Sequence, residues 1–134
     1  MDRNLADGLG QIAMKQIEPG RVTAEFEVRP AMCHSGGVAQ GGYVCGWIDS
    51  AIAFAAMSLN KGMMPLSLEL KTSFMAPARP GRVFAEAWIE RNGKSICFAE
   101  GVLRDEDGQI LAKCTSTLRL VPRPAPNDQN AEVK

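Results

Sequence analysis

The sequence predicts an α+β fold in which one long helix is wrapped by a curved antiparallel sheet of five or six strands. Three observations carry that expectation. Residues 41–59, GGYVCGWIDSAIAFAAMSL, are apolar almost all round, contain no proline and are rich in alanine. Runs that alternate apolar with polar residues lie on both sides of this stretch, the period-two signature of half-buried strands. Sequences rich in Gly, Pro, Asn and Asp separate those runs, as turns do. A helix apolar on every side needs cover on several sides, so the sheet must curl about it or a second chain must cover what remains.

In chain order, residues 10–17 are the first strand candidate. Glu18-Pro19-Gly20-Arg21 suits a type II turn, because Pro presets its φ and Gly accepts a positive one. Residues 22–28 put Val22, Ala24, Phe26 and Val28 on one face and Thr23, Glu25 and Glu27 on the other, completing a hairpin. Residues 30–37 read as irregular. The 19 residues of 41–59 would make a helix about 28 Å long, stopped at Asn60-Lys61-Gly62. After Pro65, Leu66, Leu68 and Leu70 alternate with Ser67, Glu69 and Lys71, which places the leucines on one strand face. Residues 75–81 form a loop with two prolines. Strands over 82–90 and 95–104 flank Arg91-Asn92-Gly93-Lys94, a hairpin signal, and the turn Asp105-Glu106-Asp107-Gly108 leads into a strand over 109–121. One domain is expected over residues 1–121, with 122–134, PRPAPNDQNAEVK, as a disordered tail.

Composition narrows the chemistry. The 134 residues carry 15 Lys and Arg against 15 Asp and Glu, a net charge of zero, whereas nucleic-acid binders show a basic excess. A single histidine excludes His-rich metal sites and most catalytic triads. Cys33, Cys45, Cys97 and Cys114 contain no C-x-x-C pair, so zinc spacing is absent and no metal is expected. The start, MDRNLADGLGQ, has no apolar leader segment, and free thiols in such a chain point to the cytoplasm. A membrane span over 41–59 is disfavoured by Asp49, since a central Asp costs about 2.5–3.5 kcal/mol there.

Two features in the helix carry chemistry. Asp49 lies near its middle, where the helical neighbours Cys45, Gly46, Ile52 and Ala53 offer no counter-charge; a structural pairing with an Arg from a strand would explain it as well as a catalytic role. Gly36-Gly37-Val38-Ala39-Gln40-Gly41-Gly42 at the helix start leaves backbone N–H groups open to a ligand, at the end where the helix dipole favours a developing oxyanion. Gly41 and Asp49 are about 12 Å apart along one helix, while one reacting carbon needs both groups within about 3 Å. Two antiparallel copies around a twofold axis can bring them together, so a function that uses both implies a homodimer.

These residues resemble the hotdog-fold acyl-CoA thioesterases, in particular the phenylacetate-pathway type. That family's pattern runs Asn or Gln, then six residues on a His-Gly-Gly, then an acid nine residues after the His. Gln40-Gly41-Gly42 and Asp49 fit this frame, Gly37 fits a preceding glycine, and Ser67, eighteen residues past the acid, fits a Ser or Thr. The likeness spans about residues 10–121. Two positions depart from the pattern, because Gln40 stands at the His position and His34 at the Asn or Gln position, as if exchanged. The resemblance implies hydrolysis of an acyl- or aryl-CoA in the cytoplasm by a homodimer, or a dimer of dimers, with no cofactor and no nucleic-acid or membrane partner. It implies that Gly41 N–H polarises the thioester carbonyl, with Asp49 of the other subunit as nucleophile or general base. Ser67, Gln40 and His34 would assist. Gly42 and Tyr43 would contact substrate, and Arg79, Arg82, Arg91 and Lys94 are candidates for the CoA phosphates. A hotdog hydratase and a catalytically silent acyl-CoA-binding dimer are the other readings the same residues allow.

Overall fold

A computed structural model describes residues 3–124. A short helix α1 (Arg3–Gly8) leads into strands β1 (Gln11–Glu18) and β2 (Arg21–Val28), then a single 3-10 turn, Pro30–Met32. The long helix α2 (Gly41–Leu59) is followed by β3 (Met63–Phe74), β4 (Gly81–Asn92), β5 (Ile96–Asp105) and β6 (Ile110–Pro122). The strands form one antiparallel sheet in the order β1-β2-β4-β5-β6-β3. Pro122, expected to open a disordered tail, closes β6 opposite Met63; the rest of that expected tail, beyond residue 124, lies outside the described residues.

The helix bounds agree with the apolar run, and the packing explains why. Val44, Trp47, Ile48, Ala51, Ile52, Ala55 and Ala56 are buried, a stripe at helical spacing that faces the sheet. By length and composition α2 is also apolar enough to cross a membrane, yet this stripe is sealed against Val22, Ala24, Phe26, Ala85, Leu103 and Leu118. The opposite side of α2 is equally apolar and only half-covered: Gly46, Ser50, Ala53, Phe54 and Met57 remain partly exposed. One sheet therefore covers half of what the sequence says must be covered.

Three local readings are corrected. Helix α1 was not expected; the chain after it returns to the core, where Trp47 Nε1 donates to the Leu9 carbonyl at 2.7 Å. Strand β3 begins before Pro65 rather than after it; as an edge strand it tolerates a residue with no N–H to donate. Leu66, Leu68 and Leu70 do not share a face. The register with β6 slips between Ser67 and Glu69, so Leu66 and Leu68 are 43% and 59% exposed while Leu70 packs on the core. A bulge inserts one residue and reverses the parity of everything after it.

The approach of helix to sheet depends on Gly101 in β5. A Cβ there would lie 2.5 Å from Ile48 Cγ2 and 3.5 Å from Ile52 Cδ1. Gly101→Ala is expected to destabilise the protein by about 1–3 kcal/mol through overpacking. Adding Ile48→Ala should recover part of that loss, and strictly additive effects in denaturant titrations would show that this contact does not set the helix seat.

Candidate active site

The entrance to α2 is pinned from three directions. Cys33 bridges to Ala39, Gln40 N–H donates to the Met32 carbonyl at 2.9 Å, and Ala39 N–H donates to the Ala78 carbonyl at 2.7 Å. Gln40 is the N-cap, with φ −63° and ψ 139°, and its Oε1 accepts from Gly42 N–H at 2.9 Å. This corrects two expectations. The Gln40 side chain is folded over its own helix end, and the Gly42 N–H expected to meet substrate is already satisfied. Gly41 N–H has no acceptor among the described residues, so it is the donor left open at the positive end of the helix.

His34 sits on the exposed loop just before this entrance. Its Nδ1 accepts from Gly36 N–H at 3.1 Å, which leaves Nε2 to carry the proton of the neutral ring and to donate outward. Tyr43, half-buried, stacks obliquely on Trp47 with ring centroids 6.2 Å apart, so its ring is part of the core wall beside the helix start.

Asp49 is half-buried on the flank of α2 that faces β3, and Ser67 Oγ donates to its Oδ1 at 2.8 Å. The partner missing from the helix is thus a hydroxyl from the neighbouring strand rather than an arginine. Ser67 reaches the helix because it precedes the bulge. Past the bulge the residue on the same face is Thr72, whose Oγ1 accepts from Cys45 Sγ at 3.4 Å. Sequence alternation hid Thr72, since an unbroken strand would have turned it away from Ser67's face. Burial pushes the Cys114 thiol up, a bond to Thr72 opposes this, and the nearby Cys45 and Asp49 add to the rise; burial also raises Cys97. Both buried sulfurs are therefore held as thiols.

Two neighbouring hollows lie at the Gly41 end. One, of about 280 Å³, is lined by Val38, Val44, Phe74, Met75 and Ala76. It shares Pro77 with a second, of about 290 Å³, that carries Arg79 and Arg82. The basic residues expected to act together are divided. Arg79 is at this end, whereas Arg91 and Lys94 belong to the β4–β5 hairpin, where Asn92 bonds Asn60 at the C-cap of α2. A helix of 19 residues puts these two groups about 28 Å apart. Among the described residues no cluster of His, Cys, Asp or Glu could hold a metal ion.

The model of the thioesterase superfamily matches residues 36–112, a span that includes Gly41, Asp49, Ser67 and Thr72. A protein of Saccharolobus solfataricus named as an esterase is 31% identical over 97 residues, covering 72% of this chain and 69% of that one. Human acyl-coenzyme A thioesterase 13 is 25% identical over 120 residues, covering 88% and 86%. Among solved structures, a phenylacetic acid degradation-related protein from Ralstonia eutropha JMP134 superposes with a TM-score of 0.81 at 26% identity, covering 89% and 91%. The helix on its six-stranded sheet is the hotdog fold that the resemblance implied.

The cap geometry makes a direct prediction. Gln40→Ala should cost about 0.5–1 kcal/mol of stability by leaving Gly42 N–H unpaired. Chemical denaturation that showed no loss would mean the carboxamide is not serving as a cap.

Proposed function

The chain belongs to the thioesterase superfamily, and we propose that it hydrolyses an acyl- or aryl-CoA thioester to the free acid and coenzyme A. The observation that carries the site is the 2.8 Å bond from Ser67 to Asp49 on the helix whose first residue leaves its N–H open. Gly41 N–H polarises the thioester carbonyl and holds the oxyanion as it develops. Ser67 occupies one oxygen of Asp49 and leaves the other for the reaction. That oxygen either takes a proton from the attacking water, or attacks the carbonyl itself and expels the CoA thiolate, forming a mixed anhydride that water then opens to the free acid and the regenerated carboxylate. A single turnover in ¹⁸O-water separates the two, because only the covalent route places label in Asp49.

The two groups are about 12 Å apart on one helix, so Asp49 acts on substrate held by Gly41 of a second copy. The half-covered side of α2 supports that homodimer, since Gly42 and Cys45, on the flank of Asp49, are small and not fully buried along the stretch where another helix would lie. The outer edge of β3, beside Asp49, is a sheet edge open to pairing with a second chain. Pairing of two dimers would complete the assembly, one domain over residues 1–121 per subunit, in the cytoplasm. His34, with Nε2 turned outward, supplies the side-chain hydrogen bond that the family draws from the position Gln40 occupies. The pantetheine arm leaves past Phe74 and Met75 toward Arg79, which meets a phosphate. Arg91 and Lys94 serve only from a partner subunit.

Gly41→Pro isolates the oxyanion donor. Proline is favoured at the first helical position, and Gln40 already has the extended ψ of 139° that a following proline requires. Phe74, 58% exposed, can yield to the new ring. The variant is expected to keep its helix and lose about 10²–10³-fold in kcat, and Asp49→Ala should lose at least about a hundredfold while remaining dimeric. Mixed dimers of the two variants contain one intact site in two and should regain activity on mixing. Failure to regain it would exclude a site shared between chains.

A further inference from the structure

The chemistry above leaves several hollows without a use, and one of them is on the helix that carries Asp49. It lies on α2 beyond Asp49, has a volume of about 440 Å³, and is lined by Gln16, Phe54, Met57, Ser58 and Arg123. Met57 is eight residues past Asp49, about 12 Å along the axis. The side of α2 between them carries Ser50 and Ala53, whose small side chains leave the way open. If Asp49 stands beside Gly41 of the second copy, the partner's helix ends there, because Gly41 is its first residue. Residues 50–59 therefore run on past the end of that helix, and the hollow is not filled by it. This overhang is therefore a surface beside Asp49 on which the acyl group of the thioester can lie.

The hollow carries three polar side chains, Gln16, Ser58 and Arg123, and they differ in availability. The Ser58 hydroxyl is fully used, donating to the Ala55 carbonyl at 2.7 Å and accepting from Gly20 N–H at 2.8 Å. The Arg123 backbone is anchored by its N–H on the Gly62 carbonyl at 2.9 Å. Its Nη2 rests 3.2 Å from Met57 Sδ, and among the described residues no carboxylate pairs with it. Arg123 is exposed at the far end of the hollow, and an open guanidinium in that place can meet a planar anion.

We infer that Phe54 and Met57 hold the acyl group of the thioester and that Arg123 selects medium-chain acyl groups ending in a carboxylate. This rests on the thioesterase reading, and the test separates the two. The probes are decanoyl-CoA and the mono-CoA thioester of decanedioic acid, equal in length and different only at the far end. Wild-type kcat/KM, read by thiol release, is expected to favour the acid-ended ester about tenfold, as a charge-assisted hydrogen bond would. Arg123→Met should bring the ratio to about one, and Arg123→Lys should keep part of it. Calorimetric binding of the same two esters to Asp49→Ala removes turnover from the question. Tighter binding of the acid-ended ester without hydrolysis by the wild type would support this acyl site and overturn the hydrolase reading. Hydrolysis with no preference, or a preference that Arg123→Met leaves unmoved, would overturn the acyl site alone.

Discussion

The seat of α2 on the sheet, where Ile48 and Ile52 close on the bare Cα of Gly101, sets the position of every reacting group described above. Because the helix is rigid over its whole length, fixing one face fixes both its first N–H and the carboxylate eight residues on. The buried stripe from Val44 to Ala56 supplies the driving force at about 25 cal/mol per Å² of apolar area covered. The glycine supplies the distance of approach. A site built this way needs little from loops, and the loop before α2 is itself tied to Met32 and Ala78 by backbone hydrogen bonds.

The same rigidity imposes a constraint. A helix cannot fold back to bring Asp49 to Gly41, so whatever chemistry joins them must come from outside the chain. The half-covered face of α2 and the open edge of β3 are the two surfaces that a second copy can use, and both lie on the side where Asp49 emerges. Solubility and the proposed catalysis thus place the same demand on this surface: the second copy that would cover part of the half-bare helix face is the one that would complete the proposed site.

The β3 bulge does a quieter task. Without the extra residue at Leu68, Ser67 and Thr72 would point to opposite sides of the sheet. With it, both reach α2, one on Asp49 and one on Cys45, while Leu66 and Leu68 turn outward. The cost is two exposed leucines on an edge strand. The gain is a carboxylate whose one oxygen is fixed by Ser67.

Much of this was legible in the residues themselves. The bounds of α2, the β1–β2 hairpin with its Pro19-Gly20 turn and the run of strands after the helix follow from periodicity and turn chemistry, which act between near neighbours in the chain, while Ser67 was joined to Asp49 only by what the family resemblance implied. The hidden features depend on contacts between distant segments. Gln40 was expected to assist the reaction, and its position as the cap over Gly42 N–H had no signal in the sequence. Arg79 and Arg91 looked like one cluster, yet they stand at opposite ends of α2. Thr72 and Arg123 gave no local signal, since a bulge re-aims the first and the end of β6 carries the second to Met57. Sequence alone determined the helix, the strands and the candidate acid, because local periodicity and backbone sterics act along the chain. Only the tertiary structure decided which groups share a face and which atoms stay open, because hydrogen bonds and packing across the sheet act through space.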